Sequence, residues 1–158
     1  EINQNSTFEI VSQDDSKEIR SLVDPDNILG KRLKIYSCFS QDVPNAIINH
    51  SISSMFYKGG EVSELGRSPT RLAEVLACGI PVVVNRGVGD VADIVSQNRV
   101  GIVLDGIDAL SISNAIDNLY SLYLDEGIHR RCRDTAEKIF SLEFGIDNYR
   151  KAYTGIMK

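Results

Sequence analysis

The segment SPTRLAEVLACGIPVVVNRGVGD, residues 68–90, contains the strongest local signals in the chain. Ser68 followed by Pro69 predicts a helix start, because serine caps helix amides and proline tolerates the first helical position. Gly79 and Pro81 predict the helix end, since glycine accepts a left-handed backbone and proline cannot continue a helix. Three consecutive valines then predict a buried strand. The segment therefore predicts a helix, a strand and a glycine-containing loop in succession.

The rest of the chain alternates short apolar runs with helical patterns. Predicted strands cover residues 8–11, 33–37, 52–57, 80–85 and 101–104. Predicted helices cover residues 16–23, 43–49, 68–78, 91–96, 109–124, 128–140 and 146–156, with Asp90 and Asp108 as caps of two of them. This alternation favours a parallel sheet with right-handed crossovers. The predicted fold class is α/β, a Rossmann-like parallel sheet with flanking helices.

Composition narrows the class of protein. A chain of 158 residues favours one domain, residues 1–158, and a net charge of −5 argues against a nucleic-acid partner. The three cysteines and two histidines form no zinc pattern, so free thiols and no metal are expected. The N-terminus has no signal-peptide pattern and no initiator methionine, so we expect a fragment of a longer cytoplasmic protein.

The predicted helix at 68–78 is a candidate anion site. Helix N-termini offer unpaired N–H groups and a positive dipole, here around Thr70 and Arg71. Arg71 can add a bidentate contact to a phosphate. The alternative is an ordinary capped surface helix in which Arg71 and Glu74 form a solvated ion pair one turn apart.

Two loops follow strands in this part of the chain, at residues 58–67 and 86–89. Ligands of parallel α/β folds bind at the carboxyl ends of the strands, so both loops are expected at that edge. Lys58 and Arg86 stand at the ends of predicted strands and are candidate basic contacts.

Taken together, residues 68–90 resemble the donor-binding signature of the GT-B glycosyltransferases, most closely family 4. The matching residues are Ser68-Pro69-Thr70-Arg71-Leu72-Ala73-Glu74, Gly79-Ile80-Pro81-Val82-Val83 and Gly87-Val88-Gly89-Asp90. Arg71 stands where lysine is usual. The resemblance covers most of the chain and is strongest over residues 52–104.

The resemblance implies retaining transfer of a sugar from a nucleotide donor to an acceptor saccharide, lipid-linked glycan or other hydroxyl. It implies that amides at the helix start bind the diphosphate, that Glu74 binds the ribose hydroxyls, and that Ser37 to Phe39 lie near the nucleobase. No cofactor or metal is implied, because the helix N-terminus and Arg71 stabilise the leaving group. Bacterial polysaccharide assembly, at or near the inner face of a membrane, is the implied context. The full predicted donor-binding set is Glu74, Ser68, Thr70, Arg71, Gly66, Arg86, Gly89, Ser37, Phe39 and Lys58, with no catalytic residue assigned.

The chain departs from the family pattern in two respects. Gly66 occupies the position eight residues before Glu74, where many members have a sugar-binding glutamate, and Glu64 is out of register. The sequence predicts five strands where the family domain has six, and the first strand with its basic loop is absent. The N-terminal, acceptor-binding domain is also absent. We therefore expect most of a C-terminal half, inert in isolation.

Two other functions stay open. A nucleotide-sugar epimerase would share the architecture, but it needs acid–base groups and the chain has only His50 and His129 as histidines. A receiver-like regulatory module is suggested by Asp14-Asp15 after the first strand. A receiver also needs an aspartate at the end of its third strand, where this chain has Met55-Phe56-Tyr57-Lys58.

Overall fold

The computed structural model describes residues 5–58 and 62–156. The chain divides into two compact units, Glu1–Val43 and Pro44–Lys158. Every strand pair in the described residues is parallel, as the alternating pattern predicts. The α/β class is therefore confirmed. The expectation of a single domain over residues 1–158 stays a prediction.

The first unit is built on a two-stranded parallel sheet. Strands β1 (Phe8–Val11) and β2 (Leu33–Tyr36) pair with Phe8 opposite Leu33, and helix α1 (Ser16–Val23) connects them. The Asp15 side chain caps α1 by accepting hydrogen bonds from the first-turn amides. This capping accounts for Asp15 as a local structural residue.

The second unit has a three-stranded parallel sheet in the order β3–β4–β5. The strands are β3 (Ser53–Met55), β4 (Val82–Asn85) and β5 (Gly101–Leu104). The helices are α2 (Val43–Ile47), which starts one residue before the unit boundary, α3 (Val62–Leu65), α4 (Thr70–Ala77), α5 (Val91–Asn98), α6 (Ala109–Tyr123), α7 (Ile128–Phe140) and α8 (Leu142–Ile156).

Strand β4 lies at the centre of the core, with all four of its residues buried. Val83 packs in a cluster with Leu104 of β5 and Ala115 of α6. Val82 and Val84 point to the opposite face, because side chains alternate along a strand. Burial on both faces explains the three consecutive valines of β4. The same burial fixes the position of the loop that follows β4.

The predicted bounds of β1, α1, β5 and α7 are confirmed, but other elements differ. The segment at 58–67 was expected to be a loop, yet its described part contains α3, while residues 59–61 lie outside the described residues. Helix α8 begins at Leu142 rather than at residue 146, because the Phe144 N–H donates to Ser141 Oγ (3.3 Å) and the helix tolerates Gly145. Asp90 is the N-cap of α5, but its side chain makes no cap hydrogen bond.

Candidate functional site

The N-terminus of α4 is open. Pro69 occupies the N-cap position with an extended backbone (φ −67°, ψ 119°), and within the described residues no side chain makes a cap hydrogen bond to the helix. The prediction that Ser68 is the N-cap is therefore wrong, since the extended Pro69 places Ser68 one residue too early. Because the first N–H groups of a helix have no intrahelical acceptor, the amides of Thr70 and Arg71 are available to a ligand.

Arg71 and Glu74 form an ion pair on the solvent side of α4. Arg71 Nε lies 3.4 Å from Glu74 Oε2, and both side chains are 51% exposed. An exposed pair three residues apart contributes roughly 0–1 kcal/mol. The surface pair that the sequence left open is therefore present, and it is weak enough for either side chain to exchange it for a ligand contact.

Gly89, in the loop after β4, contacts the segment that precedes α4. Its N–H donates to the Glu64 carbonyl (2.9 Å), and its backbone has a positive φ of 42°. A Cβ at Gly89 would lie 2.0 Å from the Arg67 carbonyl oxygen, so only glycine fits. The two loops that the sequence predicted at one edge of the sheet are in direct contact here.

Asn85 ties the ends of β3 and β4 together. Its side chain is buried, accepts from the Tyr57 N–H (2.9 Å), and donates to the carbonyls of Tyr57 and Arg86 (2.9 Å each). This amide continues the strand pairing by one step beyond the last backbone pair, Met55 with Val84. Sequence reasoning missed Asn85, although a polar residue that closes a run of valines is a signal for such a role.

Arg67 is a second residue that sequence reasoning missed. Its guanidinium lies over the Tyr57 ring, 5.2 Å from the centroid, and Nη2 donates to Glu64 Oε1 (2.8 Å). The Arg67 side chain is 47% exposed, whereas that of Glu64 is 12% exposed. An arginine directly before Ser-Pro-Thr, and so close to a helix start, was the available signal.

The remaining predicted residues of this unit lie around the same loops. Arg86 Nε donates to Asp105 Oδ1 (2.7 Å), and the Arg86 N–H donates to the Leu104 carbonyl (3.1 Å), so Arg86 is drawn toward the end of β5. Lys58 is exposed, three residues beyond the last residue of β3. Gly66 is exposed, and nothing lies within 4 Å of the position of an added Cβ.

Ser37 and Phe39 belong to the first unit, where they follow β2. Both are exposed, and Phe39 is 77% exposed despite its apolar ring. Gln13 Nε2 donates to the carbonyl of the intervening Cys38 (3.1 Å), which ties the loops after β1 and β2 together. Their predicted place near a nucleobase stays a prediction.

Two further features bear on the expected chemistry. Within residues 5–58 and 62–156, no three side chains of His, Cys, Asp or Glu group closely enough to hold a metal ion. Over those same residues, no helix has the length and apolar character needed to cross a bilayer. The expectations of metal-free chemistry and of a cytoplasmic location stay predictions.

Solved structures share this fold. A glycosyltransferase from Rickettsia africae ESF-5 superposes with a TM-score of 0.73 at 18% identity, over 98% of this chain and 41% of its own. The fold is that of a GT-B glycosyltransferase domain. Sucrose-phosphate synthase from Thermosynechococcus elongatus matches with a TM-score of 0.67 at 18% identity, over 94% of this chain and 38% of its own.

A third solved structure with this fold is that of WaaG, a glycosyltransferase involved in lipopolysaccharide biosynthesis. It matches with a TM-score of 0.60 at 13% identity, over 85% of this chain and 34% of its own. The chain thus spans about 34–41% of the length of these neighbours. No protein-family model matches the chain, and no curated protein matches it either.

Proposed function

We propose that this chain is the nucleotide-sugar-binding half of a retaining glycosyltransferase. The observation that carries the proposal is the uncapped N-terminus of α4, which adjoins the Gly89 loop at the carboxyl edge of the sheet. The partners are a nucleoside-diphospho-sugar, a hydroxyl-bearing acceptor and a second domain. That domain corresponds to the part of the neighbours that this chain does not span.

The amides of Thr70 and Arg71 bind the donor diphosphate in this proposal. The positive end of the α4 dipole and the Arg71 guanidinium stabilise the charge that develops on the leaving diphosphate. The helix amides are fixed by the α4 backbone before the reaction, so they need little reorganisation when the charge develops.

Glu74 binds the ribose of the donor. An ionised carboxylate accepts two hydrogen bonds, and the vicinal 2′- and 3′-hydroxyls of ribose supply two donors. Glu74 is half exposed on α4 one turn beyond the proposed phosphate-binding amides, so it is accessible to a ligand that occupies them. The Arg71–Glu74 ion pair is replaced by an ionic contact between Arg71 and the diphosphate and by hydrogen bonds from the ribose hydroxyls to Glu74.

The first experiment is an amide NMR titration of the chain with UDP, GDP and ADP. We expect weak binding, with shift changes confined in this unit to residues 66–74 and 86–90. Arg71→Ala and Glu74→Ala should each weaken binding about tenfold, the scale of one lost hydrogen bond to a charged group. Glu137→Ala on α7, where the side chain is 67% exposed, is the matched control. Shift changes that avoid both segments would rule out the site.

The second experiment isolates the ribose contact. The nucleoside diphosphate that binds best is compared with its 2′,3′-dideoxy analogue, in the wild type and in Glu74→Ala. If Glu74 binds the diol, the two changes are not additive, and the dideoxy analogue binds both proteins with equal affinity. Additive losses would show that Glu74 does not bind the ribose diol.

In the full-length protein, release of epimerised nucleotide sugar without acceptor would favour an epimerase instead.

A further inference from the structure

A closed ring of contacts links the segment before α4 to the ends of β3 and β4. Asn85 holds the backbone of Tyr57, and the loop after Asn85 leads to Gly89. Gly89 is bonded to the Glu64 carbonyl and packs on the Arg67 carbonyl, while the Arg67 guanidinium returns to the Tyr57 ring. Each link joins a different pair of segments. The ring therefore fixes the segment 64–67 relative to both strand ends without a ligand.

Arg67 is the charged member of this ring. Its guanidinium is held by the Tyr57 ring and by Glu64, yet the side chain remains 47% exposed. A guanidinium has five N–H donors, and the bond to Glu64 uses one of them. Holding the side chain in place reduces the entropy that it loses when an anion binds.

Glu64 is what holds Arg67 in place. The Glu64 side chain is 12% exposed, and its Oε2 is buried and, within the described residues, accepts no hydrogen bond. Among the described residues, Arg67 is the cation that pairs with this carboxylate, and loss of the pair would be costly because it would leave a buried charge uncompensated. Arg67 is therefore prevented from turning away into solvent.

We propose that Arg67 is a phosphate-binding residue of the donor site and that Glu64 positions it. Arg67 lies three residues before Thr70, so their Cα atoms are separated by at most roughly 11 Å. The Tyr57 ring, two residues beyond the end of β3, holds the guanidinium at the carboxyl edge of the sheet, and α4 begins three residues after Arg67. The ligand chemistry is a diphosphate, and this inference rests on the proposed function.

The test needs variants that keep the charge balance of the ring. Arg67→Gln alone would leave the buried Glu64 carboxylate without its counter-charge, and this can unfold the protein. The informative pair is therefore Glu64→Gln and Glu64→Gln/Arg67→Gln, which differ only in the guanidinium. Arg130→Gln is the control for loss of one positive charge, because Arg130 lies on α7 with its side chain 88% exposed.

The probes are inorganic pyrophosphate, UDP and uridine, with the guanine and adenine series in parallel. We expect Glu64→Gln/Arg67→Gln to bind pyrophosphate and UDP about tenfold more weakly than Glu64→Gln does. Uridine affinity should be equal in the two variants. A merely structural role for Arg67 would weaken nucleoside and nucleotide alike, and that result, or no difference at all, would overturn the assignment.

The positioning role of Glu64 has its own readout. In the wild type, the Arg67 Nε–H resonance should be distinct from that of the exposed Arg130, and it should shift when pyrophosphate is added. Glu64→Gln should move the resonance toward that of Arg130. An Arg67 resonance that is the same in Glu64→Gln as in the wild type would show that Glu64 does not position Arg67. If the wild type binds neither nucleotide nor pyrophosphate, both the proposed function and this inference are wrong. If the wild type binds both ligands, the comparison of the variants tests the role of Arg67 alone.

Discussion

The two ends of α4 are built in opposite ways. At the C-terminal end, the carbonyls of residues 74–77 accept, in order, from Cys78 N, Ile80 N, Gly79 N and Arg133 Nη1. His129 Nδ1 donates to the Gly79 carbonyl (2.8 Å), which ties the turn to α7. At the N-terminal end, no side chain in the described part of the chain makes a cap hydrogen bond.

The difference shows where this helix is available for binding. A helix end that satisfies its own backbone groups contributes stability, whereas an end with free amides can bind a ligand. Gly79, with φ of +78°, ends the helix in the double hydrogen-bond pattern that glycine permits. The N-terminal end lacks an equivalent device, although a glycine loop lies against the segment that leads into it.

The largest effect should come from the buried face at the closed end. Leu76 is fully buried, and its carbonyl accepts the Gly79 N–H. Leu76→Ala should lower the free energy of unfolding by about 3 kcal/mol, through lost burial and the cavity that remains. Urea denaturation measures the loss. A change below about 1 kcal/mol would show that this end is not the anchor of the helix.

The next effect should come from the loop contact at the open end. Gly89→Ala introduces a Cβ where the Arg67 carbonyl lies 2.0 Å away and the backbone has positive φ. We expect a loss of about 2 kcal/mol and no measurable nucleotide binding. Gly66→Ala is the matched control, because open space surrounds Gly66. Equal effects of the two substitutions would show that the loops do not need this close approach.

A smaller effect separates a capped helix start from an uncapped one. Ser68→Ala should change stability by less than about 0.5 kcal/mol, because Ser68 makes no cap hydrogen bond to α4. Asp108→Ala should be clearly more harmful, since Asp108 accepts hydrogen bonds from the amides of Leu110 and Ser111 in α6. Thermal unfolding of both variants compares them. A larger loss of stability for Ser68→Ala than for Asp108→Ala would show that Ser68 caps α4 and that its N-terminus is not free.

The smallest effect is a pH dependence at the capped start of α6. Hydrogen bonds from the Ser111 N–H and hydroxyl lower the pKa of Asp108 below its ordinary 3.8. Because the folded pKa is the lower one, the Asp108 contribution is present above about pH 4 and is lost as the pH falls through the folded pKa. Asp108→Asn should reduce the fall in the free energy of unfolding at acid pH. Ser68→Ala should leave this pH dependence unchanged. If Asp108→Asn also left it unchanged, Asp108 would not be its source.

Most of the secondary structure follows from local signals. The strand β5, the helix α7 and the glycine end of α4 were predictable because alternation, helical periodicity and glycine each have a direct local cause. The starts of α4 and α8 were not. Pro69 was expected inside the helix and lies at its cap, while α8 continues through Gly145 because Ser141 caps it.

The candidate site also contains some features that local patterns predict and others that they do not. Residue type and spacing predicted a helix that begins near Thr70 and Arg71, with Glu74 one turn further along, but they also predicted a Ser68 cap that the structure lacks. The same reasoning gave Arg86 a place in the site, but the structure pairs it with Asp105, 19 residues away in the sequence. Long-range pairing of this kind depends on which strands are neighbours, and no local pattern contains that information.

Local patterns are enough to predict the α/β class, the buried strand β4 and the helix that begins near Ser68, because these depend on periodicity and burial. The packing of Gly89 on Arg67, the hydrogen bonds between Asn85 and Tyr57, and the pairing of Glu64 with Arg67 are evident only in the folded chain. These contacts join residues of different segments. They form because parallel strands bring their carboxyl ends together, and that neighbourhood exists only in the folded chain.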